Sequence, residues 1–320
     1  MHPVGPIVEY GFAAAFAPVR RVRLESRPGG RIPAAGEIAG TASGHFWWVD
    51  PAGCDVKIYG PDGRLGHVLR GGGGLADLCA PASVTAFHGS WVAVLDAGLG
   101  RVQLYDARAR RQGGFDLPHL DEPRQIRNLG DRHLAIIGPG SGRAADRWVH
   151  LYRPDGRHIE SVFAFSRRQR SVLAPAAPPA PAPPGAPVGP EAAPNGDALQ
   201  SAAAGASLWL AYGPHGAVVL YDFSSRLVHS FALEPEARGE PPCGVFATSA
   251  ERAVVMYREP ETGRYAYDLY APTGERILGP VRSAQRLVGV EGPLFYSIDS
   301  GKERESDATL RICRLRNLGV

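Results

Sequence analysis

The stretch that decides the fold is WVAVLDAGLGRVQLYD, at residues 91–106. It contains an apolar run, Asp96, a glycine-rich turn, Arg101, and a second alternating run that ends in Tyr105 and Asp106. Two short apolar runs separated by a glycine-containing turn are typical of a β-hairpin. We expect the carboxylate of Asp96 to close the first strand by accepting hydrogen bonds from loop amides.

The end of this hairpin recurs along the chain. Six segments match VQLYD in outline, and the residues at the fourth position of each segment are Tyr59, Tyr105, Tyr152, Tyr221, Tyr270 and Cys313. Their separations are 46, 47, 69, 49 and 43 residues, so four of the five agree within a few residues. A repeat of about 45 residues with four short apolar runs is the sequence pattern of a β-propeller blade. The sequence therefore predicts an all-β, six-bladed β-propeller that occupies residues 1–320 as a single domain.

The one long separation contains a segment rich in proline and alanine, at residues 171–198. This composition lacks the large apolar side chains that pack a core, so we expect a disordered insertion within the propeller. Prolines recur at every third residue from Pro175 to Pro190, which would place them on one stripe of a polyproline II helix. One interpretation is a loop that a proline-reading partner binds. The other is a solvated surface loop.

The last repeat is too short to form a complete blade. Only seven residues follow Cys313, whereas a fourth strand needs ten or more in the other repeats. The N-terminal run PVRRVRLES, at residues 18–26, alternates in polarity and has no other evident partner. We therefore predict that it pairs with residues 309–315 and closes the ring as a strand of the last blade.

The opening stretch resembles the NHL repeat, in which an apolar strand, an Asp, a short glycine-rich turn and an Arg precede an alternating strand. Asp96, Gly98, Gly100 and Arg101 stand at the matching positions. The other five repeats match this form only in outline. The resemblance implies a divergent six-bladed propeller, and it supports the fold much more strongly than any particular function.

Composition excludes several classes of protein. The 35 basic and 32 acidic residues interleave and leave a formal net charge of +3, which argues against a dedicated nucleic-acid binder. No apolar run reaches the ~18 residues of a membrane span. The four cysteines show neither CxxC nor zinc spacing, so we expect packed thiols.

The N-terminal residues bear on the cellular compartment. The first residues place their basic side chains after the apolar ones, which is the reverse of a secretory signal. A cytoplasmic location follows from this start, and export would follow if a leader had been trimmed from it.

A propeller offers a rigid ring, loops gathered at two faces and a central channel, which suits recognition. The expected function is therefore non-enzymatic binding or scaffolding, with a protein or small-ligand partner and no cofactor. Loops that enter the innermost strands should border one mouth of the channel. The candidate binding residues in these loops are Asp77, His119, Asp121, Arg124, Glu234, Glu236 and Arg286.

The alternative is a metal-dependent lactonase-like or lyase-like propeller enzyme with a divalent cation in the channel. The segment EGPLFYSID, at residues 291–299, is similar to the Glu-Gly-Pro opening of the gluconolactonases, whose Glu binds the metal. That motif lies near the beginning of those chains, and no matching Asn and Asp ligands follow here. We therefore expect Glu291 to be a turn residue, and no catalytic or metal-binding residue is predicted.

Overall fold

A computed structural model of the protein describes residues 10–25, 36–71, 78–164, 199–212, 216–233, 242–247, 252–299 and 307–316. The predicted insertion at 171–198 lies outside these residues. The described residues form one short α-helix, α1 (Phe12–Ala15), and 25 β-strands. Within these ranges, no helix has both the length and the apolar character that crossing a membrane requires.

The strands follow one another in short antiparallel runs. The first fourteen are β1 (Tyr10–Gly11), β2 (Phe16–Glu25), β3 (Ile38–Gly40), β4 (Phe46–Asp50), β5 (Asp55–Tyr59), β6 (Leu65–Arg70), β7 (Pro81–Phe87), β8 (Trp91–Asp96), β9 (Arg101–Tyr105), β10 (Arg111–Asp116), β11 (Gln125–Leu129), β12 (His133–Ile137), β13 (Arg147–Tyr152) and β14 (His158–Ala164). The others are β15 (Leu199–Ala204), β16 (Ser207–Tyr212), β17 (Ala217–Asp222), β18 (Leu227–Ala232), β19 (Pro242–Ala247), β20 (Ala253–Arg258), β21 (Tyr265–Tyr270), β22 (Arg276–Ser283), β23 (Gln285–Glu291), β24 (Leu294–Asp299) and β25 (Asp307–Leu315).

These strands form six antiparallel sheets, which are the blades of the propeller. Blades 1 to 5 contain, from the centre outward, β3 to β6, β7 to β10, β11 to β14, β15 to β18 and β19 to β22. Blade 6 contains β23, β24, β25 and β2. The recurring Tyr or Cys lies on the third strand of its blade in every case. The predicted six-bladed propeller is confirmed.

The first strands of the six blades form a ring around the centre. Each contacts the first strand of the next blade, and β23 contacts β3. The six hydrophobic clusters of the described residues each lie between two adjacent blades. Between blades 1 and 2, for example, the rings of Trp47 and Tyr105 are 5.6 Å apart. The blades are therefore held by apolar packing against their neighbours, as the alternation of strands and turns predicts.

The N-terminal segment closes the ring. β2 pairs with β25 along its whole length, in antiparallel register, and Leu24 of β2 is fully buried between blades 6 and 1. The predicted closure is therefore confirmed. In addition, β1 pairs in parallel with β22 at the outer edge of blade 5. Arg316 donates from its backbone N to Ala15 O and from Nε to Ala13 O, each at 2.8 Å, so one segment joins blades 5 and 6.

The opening hairpin has the expected turn chemistry. Asp96 is fully buried and accepts hydrogen bonds from the backbone N–H groups of Cys79 and Ala80, each at 3.0 Å. These amides lie just before the first strand of the same blade, so the carboxylate ties the hairpin to the chain entering the blade. Gly100 takes φ 57° at the end of the turn, a conformation that side chains with a Cβ disfavour.

Candidate functional site in the central channel

A polar network crosses the channel at the level of the first strands. Arg127, on β11 of blade 3, donates to both carboxylate oxygens of Glu37, at 2.6 and 3.0 Å. Glu37 directly precedes β3 of blade 1. Ser83 of blade 2 donates to Glu37 at 2.5 Å and accepts from Arg127 at 3.1 Å. Arg127 Nε donates to the carbonyl oxygen of Ser201, in blade 4, at 2.8 Å. We call these four residues the crossbar.

The crossbar reaches from one side of the ring to the other. Blades 1 and 4 face each other in a ring of six, and Arg127 contacts residues of both. Its remaining donors bond to the carbonyl oxygen of Ile126 at 2.8 Å and to the side chain of Gln125 at 3.3 Å. A bidentate Arg–carboxylate pair with this support has a fixed geometry. The guanidinium therefore acts as a floor inside the channel.

A cavity of about 250 Å³ lies against this floor. Its lining comes from the first strands of all six blades and extends to the turns that follow them, at Gly130, Gly205 and Gly292. Ligand pockets usually have volumes of about 300–1,000 Å³, so this cavity suits a small molecule. We call it the cup. Its apolar wall includes Val84, Ala203, Val245, Phe246, Val288 and Val290.

Glu291 lies in the wall of the cup, at the end of β23. Its carboxylate accepts a hydrogen bond from the hydroxyl of Tyr296 at 2.8 Å. Burial raises the pKa of Glu291, and the Tyr296 hydrogen bond offsets part of that rise. Gly40 of blade 1 packs against both groups, since a Cβ there would meet the Tyr296 oxygen at 2.1 Å. The sequence pattern predicts Glu291 as a turn residue, and the structure places it just before the turn with its side chain facing the cup.

Asp131 is the third carboxylate of the cup. It follows β11 at the open side and accepts hydrogen bonds from the backbone N of His88 at 2.9 Å and from the Asn128 amide at 2.8 Å. Three carboxylates and one guanidinium thus occur in the described lining. The formal charge of these four groups is −2 when all are ionised, although the chain as a whole is slightly basic.

Four of the residues predicted at a channel mouth fall in the described part of the chain. His119 and Asp121 are exposed in the loop between β10 and β11, and the ring of His119 lies 5.1 Å from that of His158 on an outermost strand. Arg124 pairs with Glu122 at 3.1 Å and stacks over Trp148 at 5.5 Å. None of these three residues lines the cup.

None of the other predicted residues is found in the described lining of the cup. Arg286 is half-buried at the start of β23 and is also outside the cup lining. Asp77, Glu234 and Glu236 lie outside the described residues. The described candidates precede or begin the first strands, whereas the cup extends toward the ends of those strands. A binding role for this mouth stays a prediction.

The crossbar and Glu291 are site residues that the repeat pattern does not reveal. A polar residue interrupts the first apolar run in blades 2, 3 and 4, at Ser83, Arg127 and Ser201. That interruption is the signal in the sequence, because an inner strand packed on both faces by other blades is normally apolar. Its partner Glu37 is 90 residues away from Arg127, and no local pattern connects the two.

The described residues contain no group of three or more His, Cys, Asp or Glu side chains placed to hold a metal ion. The three cup carboxylates each have separate partners, as described above.

Solved structures resemble this chain in fold. A Bacteroides fragilis protein described as a "putative exported protein" aligns with a TM-score of 0.63 and 10% identity, over 97% of this chain and 98% of that one. A gluconolactonase from Xanthomonas campestris aligns with a TM-score of 0.55 and 12% identity, over 94% and 99%. A catalytically inactive virginiamycin B lyase from Staphylococcus aureus aligns with a TM-score of 0.53 and 11% identity, over 86% and 79%.

At such identities the similarity shows the propeller fold alone. No family model matches the sequence, and no curated protein matches it. Relationship to the NHL family therefore stays a prediction.

Proposed function

We propose that the protein is a non-enzymatic binding module that holds a small ligand in the cup. The observation that carries this proposal is the crossbar, because a fixed guanidinium gives the channel a floor and turns it into a pocket. Apolar walls beside a few placed polar groups are the usual composition of ligand sites. The ring of blades is rigid, so the pocket is formed before a ligand arrives and little ordering opposes binding.

A cup-filling variant tests the proposal. Thr85 is half-buried, lines the cup and belongs to none of the hydrophobic clusters of the described residues. Thr85→Phe should therefore fill the cup with little disturbance of the core. The matched control is Thr262→Phe, at an exposed turn. A fragment library is screened by ligand-observed NMR against both variants and the unaltered protein. Hits that bind the unaltered protein and Thr262→Phe but not Thr85→Phe support the proposal, and hits that bind all three equally refute it.

The enzyme reading has one specific support, the fold shared with a gluconolactonase and a lyase. It requires a divalent cation for the lactonase-like form. Elemental mass spectrometry of the purified protein, together with melting in the presence and absence of EDTA, tests this reading. A stoichiometric metal whose removal lowers the melting temperature would favour the enzyme and direct a lactone screen at the cup.

A scaffolding role would use a different surface, the loops around His119, Asp121, Arg124 and Arg286. Replacing His119 and Asp121 by alanine changes this surface and leaves the cup intact, so loss of a captured protein partner in that variant alone would separate scaffolding from ligand binding.

For location, the two alternatives are the cytoplasm and export, and the fold shared with a protein described as exported supports export. Fractionation of the source cells distinguishes the two.

A further inference from the structure

The guanidinium of Arg127 is not available as a hydrogen-bond donor to a ligand. Every N–H group of Arg127 already donates within the protein, to Glu37, Ser83, Ser201, Ile126 and Gln125. A ligand anion would have to break this network to reach the guanidinium. The carboxylate oxygens of the cup remain as acceptors.

The three carboxylates of the cup differ in how their charge is compensated. Glu37 forms the bidentate pair with Arg127. Asp131 accepts hydrogen bonds from a backbone amide and from the Asn128 amide. Among the described residues, Glu291 accepts a hydrogen bond only from the neutral hydroxyl of Tyr296, at 2.8 Å, and no described cation pairs with it. Glu291 is thus the one carboxylate of the described lining whose charge has no counter-charge or amide donor.

Burying an ionised carboxylate without a counter-charge disfavours its charged form, and burial raises the pKa of Glu291 for this reason. Val288 and Val290 precede it on the same strand, and Phe246 lies on the neighbouring strand. A molecule in the cup that placed a positive charge at Glu291 would therefore bring its body against apolar side chains. The formal charge of the cup, −2 with all groups ionised, attracts such a molecule.

We propose that the ligand of the cup is a small organic monocation with an apolar body, a primary amine in its ammonium form, and that Glu291 receives its charge. This inference rests on the proposed function, because it assigns the chemistry of the ligand in the same pocket. The ammonium donates to the Glu291 carboxylate, and the apolar body lies against Val290 and Phe246, which are both partly buried. The floor formed by Arg127 limits how long the ligand can be.

Three probes of nearly equal size and different charge test this inference. They are cyclohexylmethylamine as the cation, cyclohexylmethanol as the neutral molecule and cyclohexanecarboxylate as the anion. Titration calorimetry at pH 7.5 is expected to give the cation an affinity at least ten-fold above that of the alcohol, with no measurable binding of the carboxylate.

Two isosteric variants identify the carboxylate that is responsible. Glu291→Gln keeps an acceptor for the Tyr296 hydroxyl and removes the charge, so it should lower the affinity for the cation at least ten-fold and leave that for the alcohol unchanged. Glu261→Gln is the matched control, at an exposed turn outside the cup lining, and it should leave the affinity for the cation unchanged within two-fold. Circular dichroism verifies that both variants fold.

The outcomes separate this inference from the proposed function. If the alcohol binds as tightly as the cation, or if Glu291→Gln binds the cation unchanged, the inference is wrong and the cup remains a ligand site. If none of the three probes binds while library fragments still bind the cup, only the inference fails; if all three bind Thr85→Phe as they bind the unaltered protein, both fail.

Discussion

Replacing Arg127 by methionine removes the guanidinium of the crossbar and keeps an unbranched apolar stem. Arg127 and Glu37 have side-chain exposures of 15% and 29%. Breaking a buried ion pair by removing one partner costs ~3–5 kcal/mol, because the other charge is left uncompensated. Water can reach part of Glu37, so we expect the lower end, ~3 kcal/mol. For 320 residues, an unfolding entropy of ~2.1 cal/mol/K per residue converts this loss into a decrease in melting temperature of ~4 °C.

Urea denaturation followed by tryptophan fluorescence measures the free energy of unfolding, and calorimetry measures the melting temperature. The control is Arg110→Met, because Arg110 is 66% exposed and pairs with Asp106 at 2.8 Å on the surface. Such a pair contributes at most ~1 kcal/mol. Adding Glu37→Gln to Arg127→Met removes the uncompensated carboxylate and should recover part of the loss. If Arg127→Met costs no more than Arg110→Met, the crossbar does not hold the blades together.

Three further predictions concern the ring and its core. Leu24→Ala should lower the free energy of unfolding by ~2–5 kcal/mol. Val19 lies on the same strand but is 52% exposed, so Val19→Ala should change that free energy by no more than ~0.5 kcal/mol. Equal losses for the two variants in urea denaturation would argue against ring closure by β2. Gly289→Ala should lower the free energy of unfolding by ~1–3 kcal/mol, because its Cβ would lie 2.1 Å from the carbonyl oxygen of Ile38. A melting temperature equal to that of the unaltered protein would exclude so close an approach. Burial lowers the pKa of His150 from 6.5 to about 4, so below pH ~6.5 the unfolded chain binds a proton that the folded chain does not. The unfolding free energy should therefore fall by up to ~3 kcal/mol as the pH drops from ~6.5 to ~4. Urea denaturation at several pH values should show a smaller fall in His150→Gln.

The fold could be read from the sequence because a blade is a local unit. Four short strands joined by turns leave their pattern within about 45 residues, and the recurring residue from Tyr59 to Cys313 marks the third strand each time. Closure by the N-terminal strand followed from counting, since the last repeat lacked a strand and one alternating run lacked a partner. The short β1 strand on blade 5 had no such signal, because two residues carry no periodicity.

The cup could not be read in this way. The repeat pattern identifies the innermost strands, but the level at which the channel is closed depends on one long side chain, that of Arg127, meeting a carboxylate two blades away. These two side chains meet because of how the blades are arranged, and the spacing of residues along the sequence does not predict that contact. Glu291 shows the same limit, since the sequence pattern predicts a turn residue, whereas the structure makes Glu291 the last residue of β23 with its carboxylate bound to the Tyr296 hydroxyl.

Pairing of β2 with β25 has a consequence for synthesis on the ribosome. About 280 residues separate the two strands, and at ~5–20 residues per second their translation takes ~15–60 s. For that time β2 has no partner, and Val22 and Leu24, both buried in the finished ring, are open to other proteins. A strand made near the start of the ring thus waits for one of the last strands to be made. Translation that stops before β25 yields five finished blades and an unclosed sixth, so synthesis through β25 is the condition for a closed ring.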